Sequence, residues 1–176
     1  AKLGFAPEER PIAIQVCGAR PDAMAAAAEA VEASGADACD VNMGCPARRI
    51  CASGSGAALL LDPGKVFRIA ESIVKRVRIP VTAKIRTGWD HGSLTCFDTV
   101  RALEDAGVSM IVVHGRTRAQ QYGGSADWDV IRAIAEKARV PVVGNGDIRS
   151  HEEALERMAY SGCTAVMIGR GALGNP

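Results

Sequence analysis

The stretch that decides the fold is DVNMGCPARRICASGSGAALLL, residues 40–61. It begins as a β-strand and ends where a helical segment starts, and Cys45 lies between the two, flanked by Gly44 and Pro46. Proline fixes its own φ and biases the residue before it away from helical geometry, whereas glycine allows a sharp bend and the close approach of a ligand. The sequence therefore predicts that Cys45 is held at the carboxyl end of a strand, where α/β proteins place their chemistry.

Two further glycines, Gly54 and Gly56, follow in the same loop. They predict a backbone that passes close to a flat or charged group. The simpler interpretation is a buried structural cysteine beside a connecting loop, because unpaired cysteine usually behaves as a small hydrophobe. The loop is more elaborate than a connector needs to be, so we expect Cys45 to be a site residue.

The composition is that of a one-domain globular protein. The chain has 176 residues, of which 48% are hydrophobic but only 4% aromatic, so its core must be aliphatic. The formal net charge of +1 gives no general affinity for nucleic acid. No apolar run reaches the ~20 residues of a membrane span, and the first residues contain no signal-peptide core, so we expect no membrane partner.

Six cysteines are present, at positions 17, 39, 45, 51, 96 and 163. No paired CxxC occurs among them, which argues against a zinc site. Cys17, Cys39 and Cys163 lie in or beside apolar runs, where cysteine packs as a small hydrophobe. We expect reduced thiols, no metal and a cytoplasmic protein.

Apolar runs alternate with amphipathic segments along the chain. The pattern predicts six strands, at 11–17, 36–43, 80–85, 109–114, 141–144 and 164–168, and five helices, at 20–34, 62–77, 96–106, 127–138 and 151–161. Strands that alternate with helices form parallel sheets with right-handed crossovers. A weak repeat supports this, because RVRIPV (76–81) and KARVPV (137–142) are the same helix-to-strand join.

Polar residues concentrate after the strands rather than before them, in segments such as NMGCP, KIRTGW, HGRTR and GNGDIR. A doubly wound sheet would place its site at one switch point, whereas in a β/α barrel every segment after a strand faces the site. We therefore predict an α/β fold that is a partial TIM (β/α)8 barrel. Since a full barrel needs eight strands and typically ~250 residues, the six parallel strands would be strands 3–8, with the first two βα units missing.

The last two strand ends predict an anion site. The segments GNGD (144–147) and GRG (169–171) follow the seventh and eighth barrel strands, where such barrels commonly bind phosphate through backbone N–H groups. Arg170 adds a charge-assisted contact. Two ordinary glycine turns are the alternative.

Further candidates lie at the other strand ends. Lys84 and Arg86 share one strand face, which in a barrel points inward, and an inward lysine needs an anion or an electron-rich ring. His114 ends its own strand and predicts a ligand contact. Gln15 and Asn42 are weaker candidates, because their amides could bond a ring edge or merely a neighbour.

Together these segments resemble one family. NMGCPARR, GSGAALLLDP, KIRTGW, HGRTR, GNGDI and MIGRGALGNP occur in the order and spacing of the tRNA-dihydrouridine synthases, particularly the bacterial type, from Gln15 to Pro176. The resemblance implies an FMN-binding β/α-barrel domain over residues 1–176, with the family's C-terminal helical tRNA-binding domain absent. It also implies reduction of the C5=C6 bond of uridine in tRNA, with NADPH or NADH as electron donor.

The resemblance implies a role for each candidate residue. Cys45 would be the proton donor, and Gln15 and Lys84 would contact the flavin ring. The flavin's ribityl chain and phosphate would be held by His114, Asn145, Gly146, Asp147, Gly169 and Arg170. Substrate contacts are expected from Asn42, Arg48, Arg49, Arg86 and Arg116, because the arginines on this face could meet RNA phosphates.

The chemistry agrees with these roles. Reduction of uracil needs a hydride at C6, which reduced flavin supplies, and a proton at C5. An ordinary thiol, with a pKa of ~8.5, is mostly protonated at neutral pH and can act as the acid. The base must leave its stack to meet both groups.

Two other interpretations stay open. One is a flavin barrel that acts on a free pyrimidine, as dihydroorotate and dihydropyrimidine dehydrogenases do, although the arginines near Cys45 and His114 favour a polymeric substrate. The other is a non-catalytic RNA-binding fragment. We expect a monomer.

Overall fold

The fold is built on one sheet of six parallel strands. The computed structural model describes residues 4–174, so residues 1–3 and the last two residues of GRGALGNP lie outside the description. The strands are β1 (Ala13–Val16), β2 (Ala38–Met43), β3 (Val81–Arg86), β4 (Met110–His114), β5 (Val142–Asn145) and β6 (Ala165–Met167). They pair in chain order, and every pair is parallel. The predicted number, direction and order of the strands are confirmed.

A helix connects each pair of successive strands, and the connection from β2 to β3 also contains a short second helix and a 3₁₀ turn. The helices are α1 (Pro21–Ala33), α2 (Arg48–Ala52), α3 (Pro63–Val74), α4 (Cys96–Asp105), α5 (Trp128–Ala135) and α6 (His151–Ser161), with 3₁₀ turns at Pro7–Glu9, Gly56–Leu61 and Arg170–Ala172. Asp62, Asp127 and Ser150 each cap the following helix by accepting a backbone N–H with the side chain. The five predicted helices are present, while α2 was not predicted as a separate helix.

The apolar core lies between the helices and the outer face of the sheet. Side chains of alternate strand residues, such as Val41, Ile85 and Ile111, are fully buried there. Helix α3 contributes Val66, Ile69 and Ile73, as its periodicity predicts, whereas Val74 at its end is only partly buried. This core fixes which strand residues face outward, and the intervening residues must therefore face the barrel interior.

The inner face carries polar residues on β1 to β3 and near the carboxyl ends of β4 and β5, and its residues are in register across the strands. Gln15, Asp40 and Thr82 form one row, and Asn42 and Lys84 begin the next row toward the carboxyl ends. The last row joins Arg86, His114, Asn145 and Met167, which are the final residues of β3 to β6. Parallel pairing thus brings the predicted strand-end residues to one edge of the sheet.

The repeated sequence join is also a structural repeat. The backbone N–H of Arg78, before β3, donates to Glu32 Oε1 of α1 at 2.7 Å. The backbone N–H of Arg139, before β5, donates in the same way to Glu104 of α4. In both cases a glutamate on the main helix of the preceding strand-to-strand connection fixes the entry of a strand.

The sheet is open at both ends. Among residues 4–174, β1 pairs only with β2 and β6 pairs only with β5, so the six strands form part of a β/α barrel. No helix in this range is long and apolar enough to cross a membrane.

Candidate active site

A cleft of about 680 Å³ opens at the carboxyl ends of the strands. This volume lies within the range of small-molecule and cofactor sites, ~300–1,000 Å³. Among its lining residues are Gln15, Asn42, Cys45, Lys84, Arg86, His114, Arg116, Asn145, Gly146, Asp147, Gly169 and Arg170. The cleft therefore brings together the predicted acid and all the predicted cofactor residues, and it excludes Arg48 and Arg49, which are exposed on α2.

Cys45 lies at the side of the cleft and is partly exposed. Its backbone N–H donates to Asn42 Oδ1 at 2.9 Å, and its carbonyl accepts from the backbone N–H of Ala57 at 3.0 Å. The Cys51 thiol also donates to the Cys45 carbonyl, at 3.4 Å. Hydrogen bonds at the N–H and at the carbonyl of Cys45 thus fix its backbone, and with it the direction of its Cα–Cβ bond.

Gly56 is needed by the cysteine loop itself rather than by a ligand. Its φ is +58°, and a Cβ at this position would lie 2.8 Å from the Cys45 carbonyl oxygen and 3.1 Å from Cys45 Cβ. Neither Gly54 nor Gly56 lines the cleft. The expectation of close approach is correct. At Gly56 the group approached is Cys45, which is neither flat nor charged, whereas a Cβ at Gly54 would lie 3.3 Å from the charged Lys65 Nζ.

Lys84 points into the cleft from β3. Its Nζ donates to Asn145 Oδ1 at 2.9 Å, which leaves further N–H donors free. The pKa of Lys84 is lowered to about 8, mainly by burial and to a smaller extent by Arg86, while Asp40 partly opposes the shift. A cation held here against the cost of desolvation is suited to an anion or an electron-rich ring, and that ligand contact stays a prediction.

His114 is buried in the last row of the inner face. Burial lowers its pKa to about 3, and the positive charges of Arg86, Lys84 and Arg116 act in the same direction. The imidazole is therefore neutral at physiological pH. Its Nε2 lies 3.3 Å from Arg116 Nη1, so it is placed to accept that N–H.

Arg116 forms a structural clamp within the protein, and its predicted contact with the substrate stays a prediction. The side chain is buried, and Nη2 bonds both Asp147 oxygens, at 2.7 and 2.9 Å. Nε and Nη2 also bond the carbonyls of Gly123 and Gly124. A guanidinium satisfied by the protein on this many sides fixes the loop beside the cleft and has few N–H groups left for a ligand.

Asp147 is the other half of this clamp. The Arg116 bonds and the backbone N–H of Ala126 lower the pKa of Asp147, against the opposing effect of burial, which is the largest single contribution. Its φ of +54° aims the carboxylate at the loop. Asp147 thus fixes the 116–126 loop, while a direct contact with the flavin stays a prediction.

Asn145 and Arg86 also make bonds within the protein. Asn145 accepts from Lys84 and donates to the carbonyl of Met167 at 2.8 Å, which ties β5 to β6. Arg86 donates to the carbonyls of Gly44, Thr117 and Gln121 at 2.7 to 2.9 Å. Both residues shape the cleft, and their predicted ligand contacts stay predictions.

Tyr122 is a cleft residue that the sequence reasoning missed. Its ring is 57% exposed and lies between two arginines, with the ring centroid 5.6 Å from the Arg86 guanidinium carbon and 4.9 Å from that of Arg170. An aromatic residue among the polar and glycine residues of QQYGG was the available signal. Asp40, which does not line the cleft, was missed for a different reason: in the sequence it is a single polar residue within a predicted strand, with no motif around it.

The fold and the cleft define a β/α-barrel protein whose cleft places cationic side chains beside a partly exposed thiol. The dihydrouridine synthase family model matches residues 2–176, so the chain belongs to the dihydrouridine synthase family.

Individual relatives of the chain point to the same family. The chain is 46% identical over 167 residues to a "Probable tRNA-dihydrouridine synthase" of Rhizobium leguminosarum bv. phaseoli, covering 95% of this chain and 53% of the relative. It is 43% identical to tRNA-dihydrouridine synthase B of Pasteurella multocida, covering 93% and 49%. The chain thus spans about half the length of the curated relatives it matches.

A solved structure from Sorangium cellulosum, described as a mandelate racemase/muconate lactonizing enzyme, shares the fold. The TM-score is 0.57 at 20% identity, covering 89% of this chain and 37% of that one. At this identity the likeness concerns the fold alone, and it supports the partial barrel.

Proposed function

We propose that this chain is the catalytic part of an enzyme that reduces the C5=C6 bond of uridine in tRNA to dihydrouridine. The observation that carries the proposal is the position of Cys45, a partly exposed thiol whose peptide is held on both sides at the edge of a cleft that suits a flat anionic cofactor. Family membership supports the same reaction. FMN would be the cofactor, and NADPH or NADH the electron donor.

The residues present fit FMN. The cleft is large enough, and two cations line it, Lys84 on β3 and Arg170 after β6, with β4 and β5 between these strands. Lys84 and Gln15 would meet the ring, and the glycine-flanked Arg170 would meet the phosphate, since backbone N–H groups and arginine are common phosphate donors. His114 and Asn145 lie between these positions.

The chain's own residues then have defined tasks. Bound FMN, when reduced, supplies the hydride for uracil C6. Cys45 Sγ donates its proton to C5, and the Asn42 amide and the Ala57 N–H hold the backbone that aims this thiol. The neutral imidazole of His114 avoids adding another buried positive charge beside Lys84 and Arg86.

The tRNA contacts would lie outside the cleft. Arg48 and Arg49 are exposed at the start of α2, three and four residues after Cys45, where they could meet phosphates of a nucleotide extruded into the cleft. We place this activity in the cytoplasm and expect a monomer.

The test compares Cys45→Ala with Cys51→Ala in the full-length enzyme by stopped-flow absorbance of the flavin. Flavin reduction by NADPH should be unchanged in both variants, because it needs neither thiol. Flavin reoxidation by tRNA should slow in Cys45→Ala by the ~10²–10⁴-fold that general acid catalysis is worth. Cys51→Ala is the matched control, six residues away in the same loop, and should reoxidise normally.

Two outcomes would contradict the proposal. If Cys45→Ala reoxidises with tRNA at the wild-type rate, Cys45 is not the acid. If the wild-type enzyme, loaded with reduced flavin, fails to form dihydrouridine in tRNA, the reaction itself is wrong.

A further inference from the structure

A continuous line of hydrogen bonds runs from a buried carboxylate to the backbone of Cys45. Asp40 Oδ2 accepts from Gln15 Nε2 at 2.6 Å, and Gln15 Oε1 accepts from Asn42 Nδ2 at 2.7 Å. Asn42 Oδ1 then accepts from the backbone N–H groups of Gly44 and Cys45, at 3.2 and 2.9 Å. The line begins at a residue that does not itself line the cleft and ends at the residue that bears the thiol.

This line has a single direction, because its first member can only accept. An ionised carboxylate has no proton to donate, so Gln15 must turn its NH₂ group toward Asp40 and its oxygen toward Asn42. Asn42 must then turn its NH₂ group toward Gln15 and its oxygen toward the N–H of Cys45. Rotating either amide by half a turn would place donor against donor or acceptor against acceptor.

The carboxylate is itself held from both sides. Asp40 is 9% exposed and lies in register between Gln15 of β1 and Thr82 of β3. Thr82 Oγ1 donates to Asp40 Oδ1 at 2.6 Å, so both carboxylate oxygens are satisfied, as a buried carboxylate requires. Asp40 does not line the cleft. Asp40 therefore makes no direct contact with a ligand there, and it acts through its neighbours or through its charge, which raises the pKa of Lys84.

We propose that Asp40 is a positioning residue, which sets the amide orientation of Gln15 and Asn42 and, through Asn42, the backbone direction at Cys45. The inference rests on the proposed role of Cys45 as proton donor. What the line requires of residue 40 is an acceptor facing Gln15. Neither its negative charge nor its volume meets that requirement by itself.

Three substitutions in the full-length protein separate these properties. Asp40→Asn removes the charge but can keep an acceptor toward Gln15, because its NH₂ group can face the Thr82 hydroxyl, which is able to accept. Asp40→Leu removes the acceptor and keeps the branched shape and the number of heavy atoms, although its two methyl groups make it larger. Thr82→Val is the matched control, because it removes the other hydrogen bond of Asp40 and leaves the line to Cys45 intact.

The first readout is single-turnover dihydrouridine formation in tRNA, with kcat and KM measured in parallel. The assay is run at pH 6.5, below the pKa of about 8 of Lys84, so that Lys84 stays protonated when the nearby negative charge is removed. Asp40→Asn and Thr82→Val should retain the reaction. Asp40→Leu should lower kcat on the order of 10²-fold, the cost of a misplacement of ~1 Å, with an unchanged KM for tRNA.

The pattern of losses decides among the explanations. An equal loss in Asp40→Asn and Asp40→Leu would mean that the charge matters and would overturn the proposal. Retained activity in Asp40→Leu would reduce the role of Asp40 to volume and would overturn it too. If Asp40→Leu does not fold, the double variant Asp40→Asn/Thr82→Val replaces it. Without the Thr82 hydroxyl, the NH₂ group of the new amide at position 40 has no partner on the β3 side and turns toward Gln15, which removes the acceptor that the line requires.

The second readout does not depend on the reaction with tRNA. In ¹⁵N-labelled protein, the side-chain NH₂ signals of Gln15 and Asn42 should be protected from solvent exchange in the wild type, in Asp40→Asn and in Thr82→Val, and should lose protection in Asp40→Leu. Unchanged signals in Asp40→Leu would overturn the inference. If the wild type makes no dihydrouridine, the proposed function fails, while these signals still test the line.

Discussion

At the scale of single residues, Lys84 shows how the fold makes a binding residue out of an unfavourable position. Its ammonium group lies among Arg86, Arg116 and His114, and its only direct hydrogen-bond partner among residues 4–174 is Asn145. Burial is the main reason that its pKa falls to about 8. The protein thus holds a poorly solvated cation at the mouth of the barrel, which an anionic ligand would relieve.

This pKa predicts a specific pH dependence of stability. The folded pKa of Lys84 is about 8 and its ordinary value is 10.5, so the unfolded chain binds more protons between these pH values. The free energy of unfolding should therefore rise with pH in this window, by up to ~3 kcal/mol. Urea unfolding of the wild type and Lys84→Met at pH 7.5, 9 and 10.5 measures it. The difference in the free energy of unfolding between the two proteins should change between pH 7.5 and 10.5. A constant difference would contradict the lowered pKa of Lys84.

The residue scale also shows what sequence reasoning can reach. Cys45, Lys84 and His114 were found because strand alternation and position after a strand depend on local sequence alone. The bond from Arg116 to Asp147 joins residues 31 apart and needs the positive φ of Asp147, which nothing local encodes. Two residues that looked like separate ligand contacts are for this reason one internal ion pair.

At the scale of elements, the repeated helix-to-strand join, RVRIPV (76–81) and KARVPV (137–142), explains how strands enter the sheet. Glu32 on α1 accepts from the backbone N–H groups of Arg78 and Ile79, at 2.7 and 3.2 Å. These N–H groups follow α3 and precede β3, so they have no partner within a helix or strand of their own. The carboxylate supplies that partner and fixes the register at which β3 begins.

Glu32→Ala should therefore lower the free energy of unfolding by ~1–2 kcal/mol, the usual loss when hydrogen bonds to a charged group are removed from a partly buried site. Glu29→Ala is the matched control on the same helix, because Glu29 makes an exposed ion pair with Arg76. Exposed pairs contribute little, so its loss should be well under half of that for Glu32→Ala. Chemical denaturation measures both, and equal losses would show that the join has no special role.

The elements differ in how far the sequence predicted them. Helices α1, α3, α4, α5 and α6 were found because each has an apolar face, and most have a capping or proline signal at the start. Helix α2 has only five residues, RRICA, too few to show a helical period. Its position follows from the cysteine loop, which turns back so that Ala57 can bond the Cys45 carbonyl.

At the scale of the whole molecule, the sheet is most completely enclosed at its centre. Five of the six residues of β3 are buried, whereas no residue of β1 or β6 is buried. Met167 and Ile168, at the end of β6, are 40% and 41% exposed. The alternation of strands and helices predicted this order from sequence, and the count of six against the eight of a full barrel predicted that the sheet would be open.

Hydrogen exchange tests whether these two edges are where a barrel closes. In the 176-residue chain, amides of β3 and β4 should exchange slowest and those of β1 and β6 fastest, because edge strands have unpaired backbone groups and little cover. In a full-length protein that contains this sequence, β1 and β6 should gain protection selectively, because additional strands would pair with them, while β3 and β4 change little. Mass spectrometry of peptides from the two proteins measures this directly. If protection instead increases evenly over all six strands, or only in the helices, the remaining chain packs elsewhere. It then supplies no strands that pair with β1 and β6 to close the barrel.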